Sequence, residues 1–267
     1  MNRRLVIRRA VLLGLVLLVA GCGESSSLEG KVVDGAGMPL GGLKVIARQA
    51  DALKDYHKLE TSSAPDGTFV FKGLHPSSEY VIETWAQTWT TDAKLRVTTA
   101  PAGQTLVASP LAINMAIARN GGGVLTDLAT GKLRFTVSPD GVIMDSMTGL
   151  EWVMGPDKDI NYQEAMTWVK GCNTAGGGWR MPKVAELRGL SVQGLGQLNM
   201  DPAFKLDPAL WGGKIWAEPR DTWSACYFDF GLPDGGESWC YHNDCGSCRV
   251  VGVRFPSERG RIIRGYF

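Results

Sequence analysis

The chain has little net charge to offer a partner. Its 28 lysines and arginines nearly balance 27 aspartates and glutamates over 267 residues, a formal charge of +1. Four of the arginines, Arg3, Arg4, Arg8 and Arg9, sit in an N-terminal leader, so the remainder is mildly acidic. Without a basic patch or stripe, nucleic-acid binding is excluded. The N-terminal apolar run, Ala10 to Ala20, is shorter than the roughly 20 residues a spanning helix needs. No P-loop, dinucleotide fingerprint or Ser-His-Asp set can be read along the chain. That leaves no expected catalytic residue, metal or cofactor. Glycine is what the chain has in excess: 34 residues, against an ordinary share of about 7%. Such a composition predicts many turns and a mainly β, loop-rich protein.

Residues 1–21 read as an export signal: a basic start, a short apolar run, then Leu18-Val19-Ala20-Gly21 before Cys22. Small residues before a cysteine resemble a bacterial lipobox. The resemblance implies cleavage before Cys22 and lipidation there, with several acyl chains anchoring far more firmly than one. Gly23 follows the cysteine rather than aspartate, which by the sorting rule of such lipoproteins implies the outer membrane. Asn2 to Arg8 weakly resembles a twin-arginine signal, so the export route stays open. Residues 22–27 form a short polar tether.

Residues 28–115 carry short strand signals separated by turns: Asp34-Gly35, Met38 to Gly42, Ala64-Pro65-Asp66-Gly67 and Leu74 to Ser78. About seven short strands at this spacing suggest a β-sandwich. Leu106 to Ile113 reads as one of them. The order Gly30-Lys31-Val32-Val33-Asp34, Pro39-Leu40, Asp66-Gly67-Thr68-Phe69 and Gly73-Leu74 resembles the carboxypeptidase regulatory-like family. That resemblance implies a transthyretin-like sandwich without catalytic residues, commonly a spacer or an accessory module. His57 and His75 read as ordinary loop or surface residues, and Trp85 and Trp89 as core or edge packing. Residues 116–132, with Asn120-Gly121-Gly122-Gly123 and Thr130-Gly131, read as a flexible joint with one short strand at Val124-Leu125.

Residues 133–267 read as α+β: a few strands, two short helices, then a β-rich end. Asn161 with Glu164 predicts a capped helix start, and Tyr162, Ala165, Met166 and Val169 share one apolar face. Gly176 to Gly178 break that helix. Pro182 then suits the first turn of a second, with Val184 and Leu187 inward. Asp145-x-x-Thr148-Gly149-Leu150-x-Trp152, Gly178-Trp179-Arg180-Met181-Pro182, Ile215-Trp216 and Val253-Arg254 together resemble the Lcl C-terminal domain family. The resemblance implies a fold related to C-type lectins and to the formylglycine-generating enzyme. In the collagen-like adhesin that names the family, it implies binding of sulfated glycans. This chain departs from it: there is no collagen repeat, Lys183 stands where threonine is usual, and Gly252 stands where many members carry cysteine.

Outside the cytoplasm, disulfides are the default for Cys172, Cys226, Cys240, Cys245 and Cys248. A hairpin turn centred near Pro233 would set Cys226 opposite Cys240. Cys172 would then pair with Cys248 or Cys245, closing a loop of about seventy residues worth roughly 4 kcal/mol. Two rival readings have less support: a metal set of Cys240, His242, Cys245 and Cys248, and a redox pair at Cys245 and Cys248.

The tryptophans of this region are expected mainly in the core. Those nearest the loops, Trp211, Trp223 and Trp239, with Tyr227 and Tyr241, are candidates to stack on a ligand. Asn243 and Asp244, with Glu218, Asp221 and Asp229, would complete such a site. The cations Arg180, Lys183, Arg188, Arg220 and Arg249 are scattered. The expectation is a lipid-anchored, non-catalytic module that binds a glycan or a surface protein. The alternative is a structural partner in an envelope assembly, and an oxidase related to the formylglycine-generating enzyme ranks third.

Overall fold

The structure, a computed structural model, describes residues 25–51, 58–193, 195, 198–206, 213–232, 235–242 and 248–259. The leader, Cys22, His57, Trp211, Asn243, Asp244 and Cys245 lie outside these residues. A multi-sheet β-rich region comes first, and a region with two short helices follows. No helix among the described residues is long and apolar enough to cross a membrane.

The first region runs β1 (Ser26–Asp34), β2 (Lys44–Gln49), β3 (Lys58–Ser62), β4 (Thr68–Leu74), β5 (Glu79–Trp85), β6 (Trp89–Thr90), β7 (Lys94–Thr98), β8 (Thr105–Val107) and β9 (Leu111–Ile113). In one sheet β4 runs antiparallel to β1, while β8 and β9 run parallel to its two halves. A second sheet has the order β3-β2-β5-β7, antiparallel throughout. Side chains alternate across each strand, so one face of each sheet is apolar. Leu28, Val32, Phe69 and Phe71 from the first sheet meet Val45, Ala47, Tyr80 and Ile82 from the second in a single core. The stretch expected as one strand from Leu106 to Ile113 is two, β8 and β9. Pro110 lies between them and has no N–H to give a ladder. At the Asp66 turn Gly67 has φ +80°, and a Cβ there would stand 2.5 Å from the Val32 carbonyl. The Val32 N–H donates to the Gly67 carbonyl at 2.9 Å, so the turn is laced directly onto β1.

The stretch expected as a flexible joint is built. It holds β10 (Ala116–Ala118), β11 (Val124–Asp127) and β12 (Lys132–Leu133), which with β6 form a sheet of order β12-β11-β10-β6. The glycines there serve a hairpin. Gly121 and Gly123 take positive φ, and the Ala118 N–H donates to the Gly123 carbonyl at 3.0 Å. Pairing with β10 keeps Trp89 buried, whereas Trp85 is 45% exposed. The sheet is also joined to the second region. The Val124 N–H donates to Asp201 Oδ2 at 2.9 Å, and Val124, Val192 and Leu195 share a small core.

The second region runs β13 (Phe135–Val137), β14 (Val142–Asp145), β15 (Glu151–Met154), α1 (Tyr162–Gly171), α2 (Val184–Arg188), β16 (Lys214–Pro219), β17 (Ser224–Asp229), β18 (Gly236–Tyr241) and β19 (Val251–Arg254). Strands β13, β14, β15 and β19 form one sheet in that order, and β16, β17 and β18 another. Helix α1 starts as its sequence predicts. Asn161 Oδ1 accepts the Glu164 N–H at 2.9 Å, and Glu164 Oε2 accepts the Asn161 N–H at 3.0 Å. Tyr162, Ala165 and Val169 form its buried face. Helix α2 starts after Pro182 rather than on it, because Glu186 accepts the Lys183 N–H at 2.8 Å and makes Lys183 the cap. Arg180 grips the same Glu186 carboxylate with two nitrogens, at 2.8 and 2.6 Å. Gly252 has no room for the cysteine of the resembled family, since a Cβ there would meet Val153 at 2.8 Å and Trp179 at 3.1 Å.

Candidate functional site

The sheet β16-β17-β18 lies between two cores. Ile215 and Phe228 face one, with Leu187, and Cys226 packs against it. Trp216 and Ala225 face the other, with Tyr162 and Trp179, and Tyr227 and Cys240 pack against that one. Alternation assigns the faces of β18 through its register: Cys226 opposes Trp239, Ser224 opposes Tyr241 and Phe228 opposes Glu237. Trp239 and Tyr241 therefore lie on the Phe228 side, but the core ends before it reaches them. They remain 48% and 55% exposed.

The two rings meet edge to face, with centroids 5.8 Å apart at 85°. The Arg220 guanidinium lies 4.5 Å from the Trp239 ring centroid, within cation–π range. Arg220 belongs to the turn between β16 and β17, which Asp221 organises. Its Oδ1 accepts the Trp223 and Ser224 N–H groups, each at 2.8 Å. Trp223 stands at that turn, 75% exposed, and its carbonyl accepts the His242 N–H at 3.0 Å. Trp239, Tyr241 and Arg220 thus gather at one end of the sheet, with the exposed Trp223 on the adjoining turn.

Of the ligand candidates read from the sequence, Trp239 and Tyr241 come together, and Trp223 stands on the adjoining turn, where its carbonyl joins it to the end of β18. Tyr227 does not join them. It lies on the opposite face, packed edge-on against Trp216 with centroids 6.2 Å apart. Trp211, Asn243 and Asp244 lie outside the described residues. Glu218, their expected polar companion, lines a cleft with Met166, Val169, Lys170, Trp179 and Met181. Arg220 was legible only as one of several scattered cations, since no local pattern links it to Trp239.

The expected disulfides require correction. Ala225, not Cys226, opposes Cys240. The partner of Cys240 is offset by one residue from the symmetric placement around Pro233, and in a period-two strand that puts Cys226 and Cys240 on opposite faces. Cys172, Cys226 and Cys248 are free thiols, so neither the Cys226–Cys240 bond nor a Cys172–Cys248 bond exists. Cys240 is disulfide-bonded. Burial pushes the Cys248 thiol up to about 12 and also raises that of Cys226. Among the described residues, no group of three His, Cys, Asp or Glu stands together to hold a metal. His242 instead stacks on Tyr162, with centroids 4.6 Å apart at 22°.

No family model and no curated protein matches the chain. The motif resemblances to the carboxypeptidase regulatory-like and Lcl C-terminal families, and the lectin-like label, thus gain no support, and the chain is assigned to neither family. Solved structures give partial likenesses. The full-length major pilin SpaD from Corynebacterium diphtheriae is 9% identical over 80% of this chain and 64% of its own, with a TM-score of 0.28. The major pilin subunit BcpA of Bacillus cereus is 12% identical over 34% of this chain and 30% of its own, also at 0.28. The 3-chlorocatechol 1,2-dioxygenase from Rhodococcus opacus 1CP is 12% identical over 34% of this chain and 61% of its own, at 0.24. The chain spans less than two thirds of each of these structures, and scores this low carry no argument about fold or function.

Proposed function

We propose that the chain is a non-catalytic binding module that presents Trp223, Trp239 and Tyr241 to a glycan or a surface protein. Trp239 carries this reading. A large ring half in water, squared against Tyr241 and covered by Arg220, has lost its freedom before any ligand arrives. Tryptophan, tyrosine and arginine are the residues that dominate binding hot spots. The raised thiols of the buried Cys248 and the half-buried Cys226 favour this reading over a thiol-based oxidase, which needs a lowered thiol pKa. In this reading the first region is a spacer.

The test is capture by the full-length chain of glycans from an array and of proteins from an envelope lysate. Trp239→Ala should weaken whichever is captured by tenfold or more, as for a hot-spot truncation of about 2 kcal/mol. Capture untouched by Trp239→Ala, in a variant with native near-ultraviolet circular dichroism, removes this surface from the function.

We further propose that the module is exported and held to the outer membrane by lipid at Cys22. This rests on the leader sequence, which lies outside the described residues. Cys22→Ser should move the chain from the membrane fraction to the soluble one and abolish incorporation of labelled palmitate. An unchanged distribution and label would overturn the anchor.

A further inference from the structure

Strand β18 ends its sheet, and among the described residues no strand pairs with its outer edge. An open edge is a template for another chain, and folded proteins usually blunt it with charge, proline or a bulge. Three other edge strands among the described residues are blunted. Strand β3 presents Lys58, β4 presents Lys72, and β7 presents Lys94 and Arg96, all exposed. Strand β18 has no proline and no bulge. Its six residues pair with β17 in unbroken register, and it contains no lysine, arginine or proline. Its one charge, Glu237, is exposed and pairs with Arg188 of α2 at 2.9 Å. Beside the open edge stand Trp239 and Tyr241, and over Trp239 lies Arg220, which pairs with no carboxylate among the described residues.

We infer that the edge of β18 takes up an extended polypeptide segment of a partner protein, which adds as a fourth strand and sets an acidic side chain against Arg220. This deepens the binding reading above and rests on it. Main-chain hydrogen bonds would supply affinity, and alternate side chains of the segment lying over Trp239 and Tyr241 would supply selectivity. The unpaired cation selects an acidic segment, because a carboxylate brought to Arg220 adds a charge-assisted hydrogen bond.

The probe is a displayed library of random linear decapeptides selected on the full-length chain, with counter-selection on Trp239→Lys and, as a second variant, Tyr241→Lys. Near-ultraviolet circular dichroism checks the fold of each. Enriched peptides should alternate β-branched residues and carry an aspartate or glutamate. Their synthetic forms should bind at least tenfold more weakly when alternate backbone nitrogens are methylated, and more weakly to Arg220→Gln. Methylated peptides that bind as well as the parent would overturn edge pairing. So would a concentration-dependent dimer in sedimentation that Trp239→Lys abolishes, since the occupant would then be a second copy. A glycan retained through Trp239 with no peptide enriched leaves the binding module standing and removes this inference, and absence of both removes both.

Discussion

Glu151→Ala is expected to lower the unfolding free energy by about 3–5 kcal/mol, the usual effect of stranding one partner of a buried ion pair. The carboxylate is buried, and Arg254, itself fully buried, donates to it from Nε at 2.8 Å. Arg259 reaches the same carboxylate from the turn after β19, and Arg254 also donates to the Gly177 carbonyl. Arg254 Nη2 finds no acceptor, but the Trp179 ring centroid lies 3.9 Å from the guanidinium. Without Glu151 this cation has only the ring and one carbonyl. Replacing both partners, with Glu151→Leu and Arg254→Met together, should recover part of the loss, because two desolvated charges are removed at once. Urea unfolding of the single and double variants measures the difference. Additive effects would show that the two groups do not act as a pair.

The same site fixes a pH dependence. Burial raises the Glu151 pKa, but hydrogen bonds from Arg259 and Arg254 outweigh it and hold the carboxyl below its ordinary value. At Asp145 burial likewise raises the pKa, and hydrogen bonds from Arg134 and Thr148 outweigh it and hold the carboxyl below its ordinary value. A folded pKa below the unfolded one means stabilisation that is complete above the unfolded value and is lost as pH falls through the folded value. Stability should therefore drop on acidification below the ordinary carboxylate range, and the drop should be shallower in Glu151→Ala. An identical acid profile in the variant would show that Glu151 does not contribute.

Trp216→Ala should cost about 3–5 kcal/mol, in line with other buried aromatic truncations. The side chain is fully buried between Tyr162, at 5.4 Å between centroids, and Tyr227, at 6.2 Å. Its Nε1 donates to the Ile160 carbonyl at 2.9 Å and so ties the start of α1 to the sheet. Trp216→Phe keeps most of the packing and loses that hydrogen bond, so about 1–3 kcal/mol is expected. Denaturant midpoints should move while the slope stays constant. A Trp216→Phe protein as unstable as Trp216→Ala would show that the indole hydrogen bond, not ring burial, dominates.

What the sequence shows directly is what neighbours decide. Asn161 and Glu164 cap α1 as their spacing predicts, because both bonds close within one turn. The apolar face of α1 follows from the same periodicity. Contacts set by distant chain segments were not legible. The pairing of Glu151 with Arg254 joins residues 103 apart in sequence. Cys226 and Cys240 were misjudged because one residue of register decides the face, and nothing local to either strand fixes that offset. The glycines of residues 121–123 suggest looseness, yet the positive φ values of Gly121 and Gly123 are what lets β10 turn back onto β11. At the candidate site, the exposed rings could be named from the sequence, but the cation over Trp239 could not.

Strand β1 begins at Ser26, and its later half runs parallel to β9, through which the chain continues towards the second region. Tension applied at the start of β1 and resisted beyond Ile113 therefore acts along the two strands, not across them. Their hydrogen bonds are loaded together in shear instead of parting one at a time, as in a zipper. A tug on the second region, with the start of β1 held, would meet a mechanical clamp between β1 and β9.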